Sequence, residues 1–291
     1  MQSIHTPSFP ALLSQLQISL AVSTYQAGRL IILRNENGTL NTHFRMFQQP
    51  MGVALQNGWL SIGTQNQVWE FCNTPAVAPK LPAEPRPVDA CFLPRRSHIT
   101  GDIHIHEMEY DKDGELWAVN TKFSCLSTIS RDCSFTVRWK PDFISGLSPQ
   151  DRCHLNGLGM VDGRPKYVTA LGETDTPAGW RENKASGGIV MDIDSGEILV
   201  RGLSMPHSPR FYAEKLWVLN SGEGGFGFVD LDTGKYEPVA SLPGFTRGLS
   251  FWGPFAFIGL SQVRESAVFS GIRIAEMPEE ERWSGVSVVN W

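Results

Sequence analysis

The chain has 291 residues, a formal net charge of −5 at pH 7 and 41% hydrophobic residues, values typical of a soluble globular protein with a large core. No Lys- or Arg-rich run is present, which argues against a nucleic-acid partner. No apolar run approaches the roughly 18 residues that a membrane-spanning helix needs, and no signal peptide is recognisable. The five cysteines are scattered without a CxxC pair and indicate reduced thiols in a cytoplasmic protein.

The predicted elements begin with a short helix over residues 8–17, followed by three strands over residues 18–25, 29–34 and 40–47. A unit of strand, turn and returning strand then recurs along the chain. Its copies begin at Met51, His106, His154, His207 and Arg247. These starts lie about 40–55 residues apart, near the length of a propeller blade. A proline-rich stretch over residues 73–87 predicts an extended connection inside the first copy.

The repeat predicts an all-β fold, a six-bladed β-propeller that forms a single domain over residues 1–291. Five blades can be counted, and the strands up to Phe47 supply part of a sixth. Residues 285–291 match the third strand of the fifth blade, and no innermost strand of a sixth blade follows them. Two explanations stay open, completion of the ring by the N-terminal segment or an incomplete last blade. The second would leave open strand edges through which the protein could oligomerise.

Three of the seven histidines begin successive copies of the repeat, namely His106, His154 and His207. The first residues of the innermost strands of a propeller converge on one mouth of its channel. Imidazole is the commonest protein ligand for transition metals, and three such ligands leave positions open for substrate. We therefore predict a divalent transition metal (Fe, Zn, Cu or Mn) on these three side chains. The alternative is that each imidazole only forms a hydrogen bond in a polar channel. His104 is ranked below, because His106 alone of the two matches the repeat.

The loops that follow the second strands reach the same mouth, at residues 65–66, 120–122, 173–175, 220–223 and 262–265. Arg247 takes the place of the histidine in the last copy and can bind a carboxylate or phosphate, or form a salt bridge to Glu107. Glu173 is the predicted general acid or base, and Glu107 and Asp175 are equal candidates for this role. The alternative is that Glu173 is a solvated loop residue. The long loop over residues 171–184 is predicted to select the substrate. Its candidate contacts, together with one strand residue, are Asp175, Trp180, Arg181 and Asn156.

Two stretches resemble the inner-blade pattern of regucalcin- and gluconolactonase-type six-bladed propellers. They are Asn156-Gly-Leu158 with Val161-Asp-Gly163 and Tyr167-Val-Thr169, and Asp111-Lys-Asp-Gly114 with Leu116-Trp117. That superfamily holds a divalent cation at the channel mouth through carboxylates and asparagines. The resemblance implies that Asn156, the His106/Glu107 pair and His207 occupy the corresponding positions. His207 replaces an acidic residue of those enzymes, which favours a transition metal over calcium.

The whole chain also resembles an uncharacterised bacterial family of propeller proteins. The stretches that carry this resemblance are CHLNGL (153–158), VTALGETDT (168–176), GWRENK (179–184), MPHSPR (205–210) and LNSGEG (219–224). The resemblance implies a propeller and brings no function with it.

Two functions are consistent with these patterns. The first is a metal-dependent enzyme that acts on a small polar or anionic substrate or on a peptide side chain, by hydrolytic or oxidative chemistry. The second is a non-catalytic propeller that binds a ligand or another protein. The metal content of the purified protein separates the two.

Overall fold

The protein is mainly β, and the computed structural model describes residues 4–81, 88–263 and 269–291. Six antiparallel sheets of three or four strands form the blades of a six-bladed β-propeller, which confirms the predicted fold class. The chain divides into two compact units, one ending at Gly101 and the other running from Asp102 to Trp291. The single domain predicted from the repeat stays a prediction. Among the described residues, no helix has the length and apolarity required to span a membrane.

The first unit contains one helix and two sheets. Helix α1 (Ser8–Leu16) confirms the predicted N-terminal helix and buries Leu13. The three-stranded sheet consists of β1 (Leu20–Thr24), β2 (Arg29–Glu36) and β3 (Thr39–Met46). The four-stranded sheet consists of β4 (Val53–Gln56), β5 (Trp59–Gly63), β6 (Gln67–Asn73) and β7 (Phe92–Ile99). The proline-rich connection between β6 and β7 contains a short 3-10 helix, Ala78–Lys80, and its residues 82–87 lie outside the described residues.

The second unit contains four sheets, in which neighbouring strands follow chain order. The first is formed by β8 (Ile105–Tyr110), β9 (Leu116–Asn120), β10 (Cys125–Thr128) and β11 (Thr136–Trp139). The second is formed by β12 (Leu155–Val161), β13 (Arg164–Ala170), β14 (Gly188–Asp192) and β15 (Ile198–Leu203). The third is formed by β16 (Pro206–Tyr212), β17 (Lys215–Asn220), β18 (Gly225–Asp230) and β19 (Lys235–Ser241).

The fourth sheet of this unit has three strands, β20 (Phe245–Trp252), β21 (Phe255–Ser261) and β22 (Gly285–Asn290). Strand β22 pairs with β21, as predicted for the C-terminal residues. The segment between them contains the short helix α2 (Arg273–Glu276) and a 3-10 helix, Glu279–Glu281. Two further 3-10 helices, Gly179–Asn183 and Ser221–Glu223, follow second strands of earlier sheets.

The core of the second unit lies between neighbouring sheets. One cluster joins Val119 and Leu126 of one sheet to Leu155 and Val168 of the next, and all four side chains are fully buried. Because these strands are covered on both faces, they read as nearly continuous apolar runs in the sequence. A second cluster is built around Trp217, whose ring stacks on Phe226 with 4.9 Å between centroids. Dense packing on both faces fixes the innermost strands β8, β12, β16 and β20, which carry the candidate site.

Candidate functional site

Corresponding positions on the four innermost strands of the second unit follow from strand pairing. An aromatic residue of each second strand pairs with one residue of the innermost strand, in the pairs Trp117–Glu109, Tyr167–Gly159, Trp217–Arg210 and Phe257–Ser250. The residues three positions before these partners are His106, Asn156, His207 and Arg247. Two positions earlier still lie His104, His154, Met205 and Phe245.

This register corrects one interpretation made from the sequence. His154 does not share the strand position of His106 and His207, because Asn156 occupies it, and His154 corresponds to His104. The physical reason is that the copies of the repeat differ in length, so the spacing of the histidines does not fix their positions relative to the second strands. The pairing of β12 with β13 does fix them, because it places Asn156 three residues before the partner of Tyr167.

The structure nevertheless brings four histidine rings together. The ring centroid of His106 lies 5.2 Å from that of His104, 4.7 Å from that of His154 and 6.4 Å from that of His207. Aromatic rings border the group on two sides. Trp180 lies 4.4 Å from His154, and the Phe245 ring lies 5.4 Å from His207. We call the four histidines (His104, His106, His154 and His207) the histidine cluster.

His106 and His207 are held by the same arrangement of acceptors. The Nδ1 of His207 lies 2.9 Å from the Met205 carbonyl oxygen and 3.0 Å from the Ser221 hydroxyl. A carbonyl oxygen can only accept, so this Nδ1 carries the hydrogen. The Nδ1 of His106 lies 2.7 Å from the Thr121 hydroxyl, which itself donates to the Leu155 carbonyl at 2.6 Å and must therefore accept from the imidazole. Both rings therefore keep a lone pair on Nε2.

His154 is held by a carboxylate. Its Nδ1 lies 2.8 and 2.9 Å from the two oxygens of Asp151. The indole N–H of Trp180 donates to the same carboxylate at 3.2 Å. A carboxylate accepts and does not donate, so His154 also carries its hydrogen on Nδ1 when neutral. Among the described residues, no group forms a hydrogen bond with Nε2 of His106, His154 or His207.

Burial keeps the cluster largely uncharged. Removal from water lowers the pKa of His106 and of His207 well below the ordinary imidazole value, and the positive charge of Arg247 lowers both further. The pKa of His104 is lowered chiefly by burial as well. At neutral pH these three rings are therefore neutral, and Arg247 is the largest charged influence on the pKa of His106 and of His207. Trp180 and Phe245, whose rings contact those of His154 and His207, belong to an apolar cluster that also contains Met205.

The described residues contain no group of three or more His, Cys, Asp or Glu side chains placed to hold a metal ion. The hydrogen bonds at Nδ1 are those expected of metal-binding imidazoles, whose second nitrogen is usually fixed by a carboxylate or carbonyl. The ring positions, however, do not form a ligand set around one point. The donor chemistry thus fits a transition metal while the spacing does not, and the predicted metal stays a prediction.

Two predicted site residues of the innermost strands are committed to neighbouring strands. The Glu107 carboxylate accepts the Leu158 N–H at 2.7 Å and pairs with Arg210 at 2.5 Å. Arg210 also donates to the Leu158 carbonyl at 2.9 Å, so the pair binds both main-chain groups of one residue on β12. Asn156 is equally engaged, because its amide donates to the Pro206 carbonyl at 3.0 Å and accepts from Thr169 at 2.6 Å.

The residues predicted on the 171–184 loop are divided between surface and core. Glu173 is 43% exposed and pairs with Arg201. Asp175 pairs with Arg152, and its pKa is lowered by its hydrogen bonds to Ser145 and Arg152. Trp180 is 3% exposed, and the Arg181 guanidinium lies over its ring at 5.2 Å. Among the predicted residues of this loop, Trp180 lies against the histidine cluster, with its ring beside that of His154. Two other residues predicted at the mouth, Arg264 and Glu265, lie outside the described residues.

The sequence matches the family described as "Domain of unknown function (DUF4915)" over residues 7–291. The chain belongs to this family. No curated protein matches it. The expected membership of a propeller family without known function is thereby confirmed, whereas the resemblance to regucalcin- and gluconolactonase-type enzymes stays a prediction.

Solved structures resemble the DUF4915 chain in fold at low sequence identity. A chain of a nidogen/laminin complex is 12% identical with a TM-score of 0.52, and the match covers 83% of this chain and 84% of that one. A streptogramin B lyase structure is 11% identical with a TM-score of 0.50, covering 83% and 72%. Virginiamycin B lyase from Staphylococcus aureus is 13% identical with a TM-score of 0.49, covering 84% and 74%. The first two similarities show the fold and nothing further about the protein.

One important residue escaped the sequence analysis. Asp151 lies three positions before His154 in a segment without repeat character, and its backbone has a positive φ of 50°. The available signal was the Asp-x-x-His spacing, which is too common to identify a pair on its own. Thr121 and Ser221, by contrast, lie in the loops that the propeller topology predicted at the mouth.

Proposed function

We propose that the histidine cluster is the reaction site of an enzyme that acts on a small anionic or polar molecule. One observation carries this proposal. His106, His154 and His207 are each fixed with the hydrogen on Nδ1, which leaves three Nε2 lone pairs in one cluster. A side chain that is fixed at one nitrogen and keeps a lone pair on the other is suited to bind a molecule that donates hydrogen bonds or protons. Three such side chains in one cluster favour a binding or reaction site over three separate structural roles.

The charge balance favours an anionic substrate. Arg247 is close enough to the cluster to lower the pKa of three of its histidines. Asp151, a carboxylate beside the cluster, is engaged with His154 and Trp180. A guanidinium in a weakly hydrated site binds carboxylates and phosphates well, because its N–H groups match two anionic oxygens. Arg247 is therefore the residue that we assign to substrate binding.

We assign the acid–base role to imidazoles of the histidine cluster, in place of the carboxylates predicted from the sequence. Glu107 is bound to Arg210 and to the main chain of β12, and Glu173 is paired with Arg201 at the surface. A neutral imidazole with a free lone pair on Nε2 is a suitable general base near neutral pH. The histidine cluster offers this arrangement at His106 and His207, and at His154 when its ring is neutral.

A metal-dependent reaction is the second candidate. It is supported by the acceptors at Nδ1, which are those found behind metal-binding imidazoles. It requires the rings of His106, His154 and His207 to approach one another more closely than they do here. Metal analysis of the purified protein, beside a His154→Ala/His207→Ala variant, tests it. This candidate predicts transition metal in the first protein and its loss in the second, and negligible metal in both would remove it.

Anion binding tests the proposal itself. Thermal unfolding of the purified chain is measured with a panel of small carboxylates and phosphate esters, for the wild type, Arg247→Met and the surface control Arg201→Met. A ligand that binds only the folded state raises the Tm. We expect at least one anion to stabilise the wild type and the control but not Arg247→Met. Equal stabilisation of all three proteins, or of none, contradicts the proposal.

Turnover separates an enzyme from a binding propeller. An anion found by thermal unfolding is incubated with wild-type protein and followed by NMR. Consumption that depends on His154 and His207 supports the enzyme, whereas binding of an unchanged molecule supports the non-catalytic alternative.

A further inference from the structure

We infer that Asp151 is a positioning residue that fixes the tautomer of His154, and that Trp180 holds Asp151 in place for this task. The inference rests on the proposed function only in so far as the free Nε2 of His154 serves the bound molecule. Neither Asp151 nor its contact with Trp180 could be identified from the sequence.

The contacts around Asp151 are specific. Both carboxylate oxygens lie within 2.9 Å of the His154 Nδ1, so either can accept its hydrogen. The Trp180 indole donates to one of these oxygens, and its ring lies against the His154 ring at 4.4 Å. The carboxylate is thus held from one side by an indole N–H while it holds the imidazole on the other. Acceptors of this kind determine which nitrogen of a histidine carries the proton.

The backbone is arranged to make this contact. Asp151 and His154 both have positive φ values, 50° and 51°, which cost energy for residues other than glycine. The Asp151 N–H donates to the Lys122 carbonyl at 2.9 Å, and the Ala178 N–H donates to the Gln150 carbonyl at 3.0 Å. The second bond ties the 171–184 loop to the segment that carries Asp151. That loop was predicted to select the substrate, and Trp180 instead supports a histidine of the cluster.

The carboxylate distinguishes His154 from its neighbours. His106 and His207 donate to neutral hydroxyl and carbonyl oxygens. A hydrogen bond to a charged acceptor is roughly twice as strong as one between neutral groups. Among the neutral rings, His154 is therefore the one whose tautomer with the hydrogen on Nδ1 is most firmly held, and it is the one that we expect to contact the bound molecule.

Nitrogen NMR of the imidazole rings tests this assignment without substrate or metal. Protein with ¹⁵N-labelled histidine is examined at pH 9 by two-bond proton–nitrogen correlation, which distinguishes the two tautomers, and His154 is assigned by its loss in His154→Gln. The wild type should show His154 with the hydrogen on Nδ1. In Asp151→Ala the ratio of the two tautomers should fall by at least about tenfold, the effect of losing a hydrogen bond to a charged acceptor.

Two variants separate positioning from general disturbance. Asp151→Asn keeps an oxygen that can accept from Nδ1 and should retain the wild-type tautomer. Asp175→Ala removes a nearby carboxylate that binds Arg152 instead of a histidine, and it should leave the His154 signals unchanged. A wild-type His154 with the hydrogen on Nε2 overturns the inference whether or not the variants fold. An unchanged tautomer in folded Asp151→Ala also overturns it. Neither result bears on anion binding at Arg247, so this inference and the proposed function can fail separately.

Discussion

Glu109→Gln should stabilise the protein at alkaline pH and have little effect in acid. Glu109 lies on β8 beside Arg210, at 3.3 Å, and Arg210 makes its closer ion pair, at 2.5 Å, with Glu107. Burial raises the pKa of Glu109 to about 7, with the Glu107 charge acting in the same direction and Arg210 opposing it. The folded state therefore resists ionisation of this carboxyl group.

The sign and size of the effect follow from proton binding. The pKa of Glu109 is higher in the folded state than its ordinary value of 4.5, so the folded state binds the proton more tightly between pH 4.5 and about 7. Stability falls as the pH rises through this window and stays reduced above it. The full difference in pKa corresponds to about 3 kcal/mol. Because the Glu109 side chain is 29% exposed, screening by water reduces the expected cost to about 1–2 kcal/mol.

Urea unfolding at pH 5 and pH 8 measures this cost. The midpoint for Glu109→Gln should exceed that of the wild type at pH 8, with an unchanged slope, and the difference should largely disappear at pH 5. Glu173→Gln, which alters an exposed carboxylate paired with Arg201, serves as the control and should show no such pH dependence. An equal difference between Glu109→Gln and the wild type at both pH values would refute the reasoning.

Three further predictions concern packing and the strand contacts. Arg210→Met leaves Glu107 without its cation and the Leu158 carbonyl without this donor. It should lower the free energy of unfolding, measured with urea, by about 3–5 kcal/mol. A loss below about 1 kcal/mol would show that the Glu107–Arg210 pair does not stabilise the fold. Gly157→Ala places a methyl group 2.3 Å from the Thr169 hydroxyl and 2.4 Å from Pro209. It should lower the free energy of unfolding by at least about 2 kcal/mol. Gly146→Ala, whose methyl group would have no atom within 4 Å, should leave it nearly unchanged. Trp217→Ala should lower the free energy of unfolding by about 3–5 kcal/mol because this side chain is 1% exposed, and Trp252→Ala, 53% exposed, should change it by less than about 1 kcal/mol.

The blades could be predicted because local chemistry determines them. Strand β5 (Trp59–Gly63) is the returning strand of the copy that begins at Met51, and an Asn-Gly turn precedes its apolar run, which is buried on both faces. The helix at Ser8–Leu16 and the strand Gly285–Asn290 were also recognised, as short apolar patterns with clear ends. Elements of this kind depend on neighbours in the sequence and little on distant contacts.

The position of each side chain within a strand could be predicted less well. Repeat spacing aligned His154 with His106 and His207, whereas the resemblance to known propellers aligned Asn156 with them, and strand pairing supports the second alignment. The copies of the repeat differ in length, so spacing alone does not show which residues of neighbouring innermost strands correspond, and an error of one residue reverses the face to which a side chain is assigned. The histidines still meet, because positions two residues apart on one innermost strand lie on the same side and neighbouring strands are close.

Hydrogen-bond partners show which polar side chains belong to the site and which only stabilise neighbouring strands, and they do so more reliably than residue type. Strand β12 is paired with β13 along one edge only, so the main-chain groups of Leu158 on its other edge need partners from elsewhere. Glu107 and Arg210 supply these partners and also form an ion pair with each other, so neither is available to a substrate. The imidazoles of the histidine cluster are satisfied at Nδ1 and open at Nε2. A side chain that is held firmly at one atom and available at another is suited to bind and to react, and that difference assigns the site to the histidines although the carboxylates carry more charge.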